Sequence, residues 1–378
     1  MLVLQISNDY AGSKVHKNLI QYNDSHGIKQ IVYCPVRNSQ LLGGNQFKGE
    51  NVEFVYSLII KPWYKFFYHH KRKKLFSDLS NRIDLNKIDL IHAATLFSDG
   101  AIAYMAHKKY NIPYVVAVRN TDVNLFAKLL PHTWKNAQKI LLESSKIYFI
   151  SKALQNTFIT LPLVKPILRN IENKFIFRPN GVEDIWLKNI NHNQNKYSEK
   201  ILYVGNFTAN KNIKRLIISI SQLRTENKYK DLKLTIIGGG KDKNNEVLNI
   251  IKSNCDFVTY LGEIYNSEKI QDIMKEHALF AMPSIYETFG LVYIEALTQN
   301  LPIIYTKGQG VDKVFLDNEY PVGISVDPLS ISEIKEAIRN ILSNYEKYSN
   351  KQIDFSIFDW ENISQQYKID YENIVISK

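Results

Sequence analysis

The chain has 378 residues, and 48 Lys and Arg against 37 Asp and Glu give it a net charge of +11. Hydrophobic residues at 45% and charged residues at 22% exclude wholesale disorder, and the length favours two domains over one. Two widely separated cysteines exclude a disulfide scaffold and fit a reducing cytoplasm, while no apolar run approaches the roughly 20 residues that span a bilayer. The basic excess predicts an anionic partner: nucleic acid, anionic lipid or a phosphate-bearing substrate.

Short apolar runs alternate with amphipathic stretches along the first half of the chain. The apolar runs predict buried parallel strands at Leu2–Ile6, Gln30–Tyr33, Asp89–His92, Tyr114–Val118 and Ile147–Ile150. Helical spacing between them predicts helices at Lys14–Asn23 and Asp99–Tyr110. This alternation is typical of a parallel sheet covered by helices.

The same alternation restarts after about residue 183. It predicts strands at Lys200–Val204, Lys233–Ile237, Phe257–Tyr260, Leu279–Met282 and Pro302–Tyr305, and helices at Lys214–Arg224, Asn266–His277 and Leu291–Thr298. Ser330 and Glu333 have the spacing of a capping box before the periodic run Ile334–Leu342. Two series of this kind predict an α/β protein of two doubly wound, Rossmann-like domains facing each other across a cleft.

The domain boundary is predicted at Arg178–Glu183, where Pro179 and the Asn180-Gly181 pair interrupt the apolar pattern. The polar stretch Asn189–Glu199 then serves as the linker. This division assigns residues 1–182 to the N-terminal domain and residues 183–357 to the C-terminal domain.

The segment Pro283–Leu297 carries the strongest chemical signal. Glu287 follows an apolar strand, Gly290 opens a helical run, and Glu295 lies about one turn inside it. Such a strand–helix junction binds ligands in open α/β sheets, and its backbone N–H groups suit a pyrophosphate. These N–H groups belong to Phe289, Gly290 and Leu291. Glu295 could accept hydrogen bonds from ribose hydroxyls and Glu287 could contact the group beyond the phosphates; the alternative is that both are solvated carboxylates.

This segment resembles the signature of glycosyltransferase family 4, whose members are retaining nucleotide-sugar transferases with the two-domain GT-B fold. The family pattern has Pro-Ser, a Glu, Phe-Gly and a second Glu after seven intervening residues, and Glu287 and Glu295 fit that spacing. The resemblance covers most of the chain. It implies that residues 183–357 bind the nucleotide sugar, that residues 1–182 form the acceptor side, and that a helix at 358–378 crosses back onto the first domain.

Two further segments resemble the donor side of the family. Tyr203–Ile213 is similar to the motif that supplies an Arg and a Lys to the donor phosphates. Lys211 matches the Lys and is assigned with Glu287 to catalysis, whereas Asn206 stands where the Arg is expected and brings no charge. Tyr260–Ile264 resembles the segment that borders the base, which places Ile264 at the donor.

The segment Asp9–His16 resembles the family's N-terminal Gly-rich loop, which borders the sugar and the acceptor. Gly12 is its single glycine and is assigned to donor binding, and His16 stands four residues on, at the sugar or acceptor side. Lys14 is assigned to the same side and is expected to reach a phosphate. For His16, a packing role on a helix face is the alternative.

The segment Val116–Asp122 is similar to the family's strand followed by His-Gly-Thr-Asp, with Arg119 in place of the His. Since that His lies close to the transferred sugar in the family, Arg119 bears on sugar choice or acceptor binding. An arginine at such a strand end is costly to leave unpaired, which favours an anionic contact. A structural salt bridge to Asp122 or another carboxylate is the alternative.

A basic segment at residues 61–74 holds six Lys and Arg and no acid, interleaved with five aromatic residues. This composition is typical of contact with an anionic membrane surface. The contact residues would be Lys61, Trp63, Lys65, Lys71, Arg72, Lys73 and Lys74. A solvated basic helix face and contact with a nucleic-acid backbone are the alternatives.

The resemblance implies sugar transfer, with retention, from a nucleoside-diphosphate sugar, UDP favoured, to a glycan or polyprenyl-diphosphate-linked acceptor in bacterial cell-surface polysaccharide synthesis. No metal or other cofactor is expected, because the chain has no Asp-x-Asp triplet, and no nucleic-acid partner is expected. The predicted location is cytoplasmic, at the inner face of the plasma membrane. The alternatives are a nucleotide-sugar epimerase on the same fold and a non-catalytic protein that binds membranes or nucleic acid.

Overall fold

The computed structural model describes residues 1–65, 67–193, 199–240, 245–316 and 318–377, apart from the side chains of Lys65 and Asn245. The chain divides into two compact units. The first comprises Met1–Ile150, Leu154–Gly181 and Trp360–Lys378, and the second comprises Ser151–Ala153 and Val182–Asp359. Residues 194–198 of the predicted linker lie outside the described residues.

The first unit is built on a parallel sheet. Its strands are β1 (Leu2–Ile6), β2 (Lys29–Pro35), β3 (Val52–Ser57), β4 (Leu90–Ala93), β5 (Tyr114–Val118), β6 (Lys146–Phe149) and β7 (Phe175–Phe177). Within the described residues the order is β3-β2-β1-β4-β5-β6-β7, with every pairing parallel. The strand order changes direction between β1 and β4, which is where such sheets bind ligands at their carboxyl edge.

Helices connect these strands. Up to residue 181 they are α1 (Lys14–Ser25), α2 (Tyr68–Arg82), α3 (Asp99–Tyr110), α4 (Ala127–Leu129), α5 (Trp134–Glu143), α6 (Lys152–Ile159) and α7 (Leu168–Ile171). A π-helical turn at Asp122–Phe126 leads into α4, and 3-10 turns lie at Tyr10–Gly12, Ser39–Leu41, Pro62–Lys65, Leu85–Lys87, Pro131–Thr133, Lys165–Ile167 and Glu172–Lys174. Ser13 caps α1, because its Oγ accepts the N–H of His16 at 3.3 Å.

The second unit repeats the arrangement. Its strands are β8 (Lys200–Val204), β9 (Lys233–Ile237), β10 (Val258–Tyr260), β11 (Leu279–Ala281), β12 (Ile303–Thr306) and β13 (Gly323–Val326). Its helices are α8 (Asp184–Lys188), α9 (Ile213–Leu223), α10 (Asn245–Ser253), α11 (Ser267–Lys275), α12 (Leu291–Thr298) and α13 (Ile331–Ser343), with 3-10 turns at Ala209–Lys211, Asn227–Tyr229, Tyr345–Lys347 and Phe355–Phe358. The order within the described residues is β10-β9-β8-β11-β12-β13, all parallel, so the loops after β8 and β11 meet at the switch point.

The C-terminal helix, α14 (Trp360–Ile376), belongs to the first unit although it follows the second in the chain. Trp360, Tyr367 and Tyr371 are buried in one cluster with residues of β1, β4, β5 and α1, such as Val3 and Leu19. The predicted return of this helix to the first domain is therefore confirmed.

The predicted capping box before α13 forms only in part. Ser330 accepts the N–H of Glu333 on Oγ at 3.1 Å, as expected of an N-cap. The Glu333 carboxylate accepts the N–H of Asp327 at 2.8 Å instead of returning to Ser330. In the described part of the chain, no helix is long and apolar enough to cross a membrane.

Candidate active site

Two loops at the carboxyl edge of the second sheet bring Lys211 and Glu287 together. Lys211 ends the turn after β8, and Glu287 lies in the loop between β11 and α12. The Lys211 Nζ is 2.6 Å from the Glu287 Oε2, and the two side chains are 22% and 10% exposed. The two residues assigned to catalysis from the sequence thus form one largely buried ion pair, which solvent screens less than a surface pair.

Asn210 fastens the two loops to each other. Its side-chain amide donates to the carbonyl of Tyr286 at 2.9 Å and its Oδ1 accepts the Tyr286 N–H at 2.8 Å. Its carbonyl accepts the N–H of Ile285 at 2.7 Å. Two residues on, the side chain of Asn212 donates to the carbonyl of Pro283 at 2.8 Å. These bonds fix the separation of Lys211 and Glu287 through the backbone as well as through their own contact.

Gln309 and two glycines support Glu287 from the other side. The Gln309 Oε1 accepts the N–H of Glu287 at 2.7 Å, and its Nε2 donates to the carbonyl of Ile285 at 3.0 Å. Gly290 and Gly310 both adopt positive φ, and a Cβ on either would lie 3.1 Å from the Glu287 Cγ. Only glycine suits both the backbone conformation and the space there.

The helix start after Glu287 offers free donors. The backbone N–H groups of Phe289 and Gly290 make no hydrogen bond to any described residue, and Leu291, the first residue of α12, has no intrahelical acceptor. The Phe289 ring itself is buried, 5.9 Å from the ring of Phe358, so only its backbone is available to a ligand. Donors at a helix start suit an anion.

Glu295 lies inside α12, one turn beyond these donors. Its side chain is half-buried, and its carboxylate has neither a hydrogen-bond nor an ion-pair partner among the described residues. Burial, with a smaller contribution from the carboxylate of Glu183, raises the pKa of Glu295 to about 7. A carboxylate left unpaired in this position has capacity for an external hydrogen-bond donor.

The remaining donor-side residues lie at the ends of β8, β9 and β10. Asn206 is exposed in the turn after β8 and lies close to Gly240, which follows β9. Ile264 is half-buried in the loop after β10. The carboxylate of Glu263, the residue before Ile264, accepts two hydrogen bonds. Its Oε1 accepts one from the N–H of Gly240 at 2.8 Å, and its Oε2 accepts one from the hydroxyl of the exposed Tyr265.

In the first unit, Gly12, Lys14 and His16 surround the start of α1. Gly12 and Lys14 are exposed, and the His16 Nδ1 is 2.9 Å from the Oγ of Ser7, which follows β1. Burial lowers the pKa of His16 to about 3, with Arg119 and His92 contributing, so the ring is neutral at pH 7. The predicted contact of Lys14 with a phosphate is not tested by the structure.

Arg119 follows β5 and is half-buried. Its Nε donates to the carbonyl of Ala94 at 3.1 Å. The predicted alternative, a salt bridge to Asp122, does not form: that carboxylate accepts the backbone N–H groups of Leu96, Phe97 and Arg119 at 2.9–3.1 Å. The guanidinium has no carboxylate within 4 Å among the described residues.

The basic segment separates into an outer and an inner part. Lys61, Trp63, Lys73 and Lys74 are exposed, and the Trp63 and Phe67 rings, which are 46% and 57% exposed, lie 5.8 Å apart. Lys71 and Arg72 point inward: Lys71 contacts the Oγ of Ser98 at 3.4 Å, and Arg72 donates to Asn136. Protein contacts hold both half-buried side chains, and their assignment to a membrane-facing surface stays a prediction. The side chain of Lys65 lies outside the described part.

A cavity of about 230 Å³ opens at the carboxyl edge of β1 and β2. It brings Gly12 and Lys71 together with Asp9 and Arg37. Sequence reasoning assigned Gly12 to the donor and Lys71 to a membrane, and it did not connect them.

Three supporting residues were missed from the sequence: Asn210, Gln309 and Glu263. Asn210 and Gln309 hold the backbone around Glu287, and Glu263 holds the turn after β9. Their hydrogen bonds join loops that are far apart in the chain, so no local pattern marks them. The one available signal was adjacency, since Asn210 immediately precedes Lys211 and Glu263 immediately precedes Ile264.

Comparison with known proteins points to one enzyme class. Residues 184–354 match the family model described as glycosyl transferases group 1. An uncharacterized glycosyltransferase of Methanocaldococcus jannaschii is 25% identical over 301 residues, which cover 78% of each chain. A candidate teichuronic acid biosynthesis glycosyltransferase of Bacillus subtilis is 23% identical over 274 residues, which cover 70% of this chain and 62% of that protein.

A solved structure can be compared with this chain over nearly its whole length. The Anabaena protein HepE, determined in complex with UDP and glucose, matches this chain with a TM-score of 0.67 at 15% identity, over 99% of this chain and 100% of the other. The likeness confirms the predicted two-domain, Rossmann-like GT-B fold. Together with the family match, it supports a glycosyltransferase of the GT-B type. The narrower assignment to family 4 stays a prediction.

Proposed function

We propose that this protein transfers a hexose from a UDP-sugar to a hydroxyl of a glycan or lipid-linked glycan, with retention of anomeric configuration and without a metal ion, in cell-surface polysaccharide synthesis. The observation that carries the proposal is the Lys211–Glu287 pair beside the free N–H groups at the start of α12. The similarity to the teichuronic acid relative supports a role in cell-surface polysaccharide synthesis. The similarity to HepE, determined with UDP, supports uracil as the base of the donor.

The chemistry follows from what each group can stabilise. When the bond from the anomeric carbon to the β-phosphate breaks, negative charge grows on the departing diphosphate. The Lys211 ammonium and the N–H groups of Phe289, Gly290 and Leu291 would bind that charge from fixed positions. Glu287, held by Gln309, would accept hydrogen bonds from sugar hydroxyls, and Glu295 would accept those of the ribose.

The direct test is a panel of UDP-, GDP- and ADP-sugars offered to the full-length protein in EDTA. We expect one donor to bind selectively and to be hydrolysed slowly, and both Glu287→Ala and Lys211→Ala to abolish turnover. Lys214→Ala is the matched control, because Lys214 forms an exposed ion pair with Glu246 at 3.0 Å in the same unit. Absence of nucleotide-sugar binding at millimolar concentration would contradict the proposal.

The test also separates the alternative enzyme. An epimerase would convert the donor into its epimer with no acceptor present, whereas a transferase would release free sugar and UDP only slowly. NMR identification of the sugar product in the first minutes of the donor-only reaction distinguishes the two enzymes. Once an acceptor is found, the anomeric configuration of the transfer product tests retention.

A second proposal concerns the membrane. The exposed Trp63 and Phe67 rings beside Lys61, Lys73 and Lys74 favour attachment to an anionic lipid surface, where each basic residue contributes on the order of 1 kcal/mol. We expect co-sedimentation with phosphatidylglycerol vesicles but not with phosphatidylcholine vesicles. Trp63→Ala should weaken it, and Leu329→Ala, which removes an exposed apolar side chain of the second unit, should not.

A further inference from the structure

Arg119 is a half-buried cation that forms no ion pair within 4 Å in the described part of the chain. Its Nε is bonded to the carbonyl of Ala94, but its two Nη atoms have no partner among the described residues and are not sealed from solvent. Asp122, the nearest carboxylate in sequence, is already bonded to three backbone N–H groups. Burying a charge without compensation is unfavourable, so this arrangement is stabilised when an anion arrives.

The hydrogen bond to Ala94 also sets the direction of the side chain. Arg119, Ala94 and Ser7 follow β5, β4 and β1, which are neighbours in the sheet. By reaching the end of β4, Arg119 extends toward β1, where Ser7 holds the Nδ1 of His16. The His16 Nε2 has no partner among the described residues. The first turn of α1, which His16 shares, adds backbone N–H groups and the positive end of a twelve-residue helix.

Tyr367 of α14 lies close enough to Arg119 for its hydroxyl to affect the pKa of the guanidinium. Its ring lies 5.5 Å from the guanidinium carbon of Arg178, and its hydroxyl has no hydrogen-bond partner in the described part of the chain. Burial raises the pKa of Tyr367, against the opposing effect of Arg119 and Arg178, so the hydroxyl stays protonated and can donate. The carboxylate of Asp370, which acts on Tyr367, is paired with Lys146 at 3.0 Å and with Arg178 at 2.8 Å. Asp99 and Asp9 act on the pKa of Arg119 without forming an ion pair with it.

We propose that Arg119, His16 and Tyr367 bind an oxyanion, a phosphate or a carboxylate, carried by the acceptor. A guanidinium binds either group through two parallel hydrogen bonds, while a neutral imidazole and a phenol add contacts without further charge. The assignment to the acceptor rests on the proposed function, in which groups of the second unit hold the donor diphosphate. The binding of an oxyanion does not depend on it.

The test measures binding to the full-length protein without a donor, at constant ionic strength. The probes are glucose 6-phosphate, glucuronate and geranyl diphosphate, and glucose is the neutral reference. Isothermal titration calorimetry measures the dissociation constant of each. We expect at least one anionic probe to bind more than tenfold tighter than glucose. The rank order of the three affinities distinguishes a sugar phosphate, a uronic acid and a lipid diphosphate as the preferred ligand. Arg119→Gln should lose this preference, and Arg119→Lys should recover part of it.

Arg169→Gln is the matched control, because Arg169 is exposed in the same unit and its loss changes the net charge equally. Equal binding of the anions by Arg119→Gln and the unaltered protein, or no preference for any anion, would overturn the inference. A parallel UDP titration must be unaffected by Arg119→Gln, and a loss of UDP binding would overturn the assignment to the acceptor. Oxyanion binding without any donor binding would instead count against the proposed function alone.

Discussion

The two sheets have the same parallel, doubly wound order at their centre, and each has a cation at its carboxyl edge. The two cations differ in whether a carboxylate is paired with them. In the second unit, Lys211 is neutralised by Glu287 at 2.6 Å, and bonds from Asn210 and Gln309 hold the loops around the pair. In the first unit, the Arg119 side chain bonds to the carbonyl of Ala94 and has no carboxylate within 4 Å among the residues that the structure describes. The ion pair fixes the position of Lys211 before any ligand binds. Arg119 has no such pair, and on the inference above an anionic ligand supplies it.

The largest effect expected from this comparison is on turnover. Lys211→Met removes the cation that would stabilise the departing diphosphate and leaves Glu287 unpaired. Loss of one preorganised charge-stabilising group costs roughly 10²–10³ in kcat, whereas Lys214→Met should leave kcat unchanged. Steady-state kinetics with the donor that the nucleotide-sugar panel selects provides the measurement. A kcat within threefold of the unaltered protein would remove Lys211 from the mechanism.

Stability should change in opposite directions at the two cations. Lys211→Met leaves a largely buried carboxylate without its partner and should destabilise the protein by about 1–3 kcal/mol. Arg119→Met removes a charge that has no partner and should be neutral or stabilising. Urea unfolding of both variants tests the comparison. Equal destabilisation would show that Arg119 is compensated in the folded protein.

The supporting bonds predict a smaller effect on catalysis. Asn210→Ala removes two side-chain hydrogen bonds between the loops that carry Lys211 and Glu287. We expect kcat to fall about tenfold with little change in the donor KM, because the charges remain but their positions loosen. Asn227→Ala, in a 3-10 turn of the same unit, is the control. A change in KM alone would mean that Asn210 contacts the donor directly.

The smallest effect concerns Glu295, whose pKa is raised to about 7 by burial. Because its folded pKa lies above that of an unfolded Glu, ionisation destabilises the folded protein as the pH rises from about 4.5 to 7. Glu295→Gln should match the unaltered protein at pH 4 and exceed its stability by on the order of 1–2 kcal/mol at pH 8. Urea unfolding at both values provides the test. Glu346→Gln, at an exposed position, should show no such difference.

The sequence predicts the interior strands well and the sheet edges poorly. Leu2–Ile6, Tyr114–Val118, Lys200–Val204 and Lys233–Ile237 begin and end where the apolar runs predict. The edge strands β3, β7 and β13 were missed, because a strand with one neighbour needs no continuous apolar run.

For the site, a local motif located Glu287 and Lys211, but pairing across 76 positions is a property of the folded chain. The same limit applies to Lys71 and Arg72. Their charge suggested a surface, and only the packing of α2 reveals that Ser98 and Asn136 hold them. Arg119 was singled out from the sequence as unusual, but whether Asp122 forms an ion pair with it depends on which backbone N–H groups the folded chain brings to that carboxylate.

The return of α14 to the first unit has a consequence for synthesis on the ribosome. Domains generally fold in the order in which they emerge. Here the second unit is complete at Asp359, while the first still lacks Trp360, Tyr367 and Tyr371, which fill its apolar cluster. The unit that is made first is therefore the last to finish folding, and a stop codon in place of Trp360 would leave the apolar cluster on its central strands uncovered.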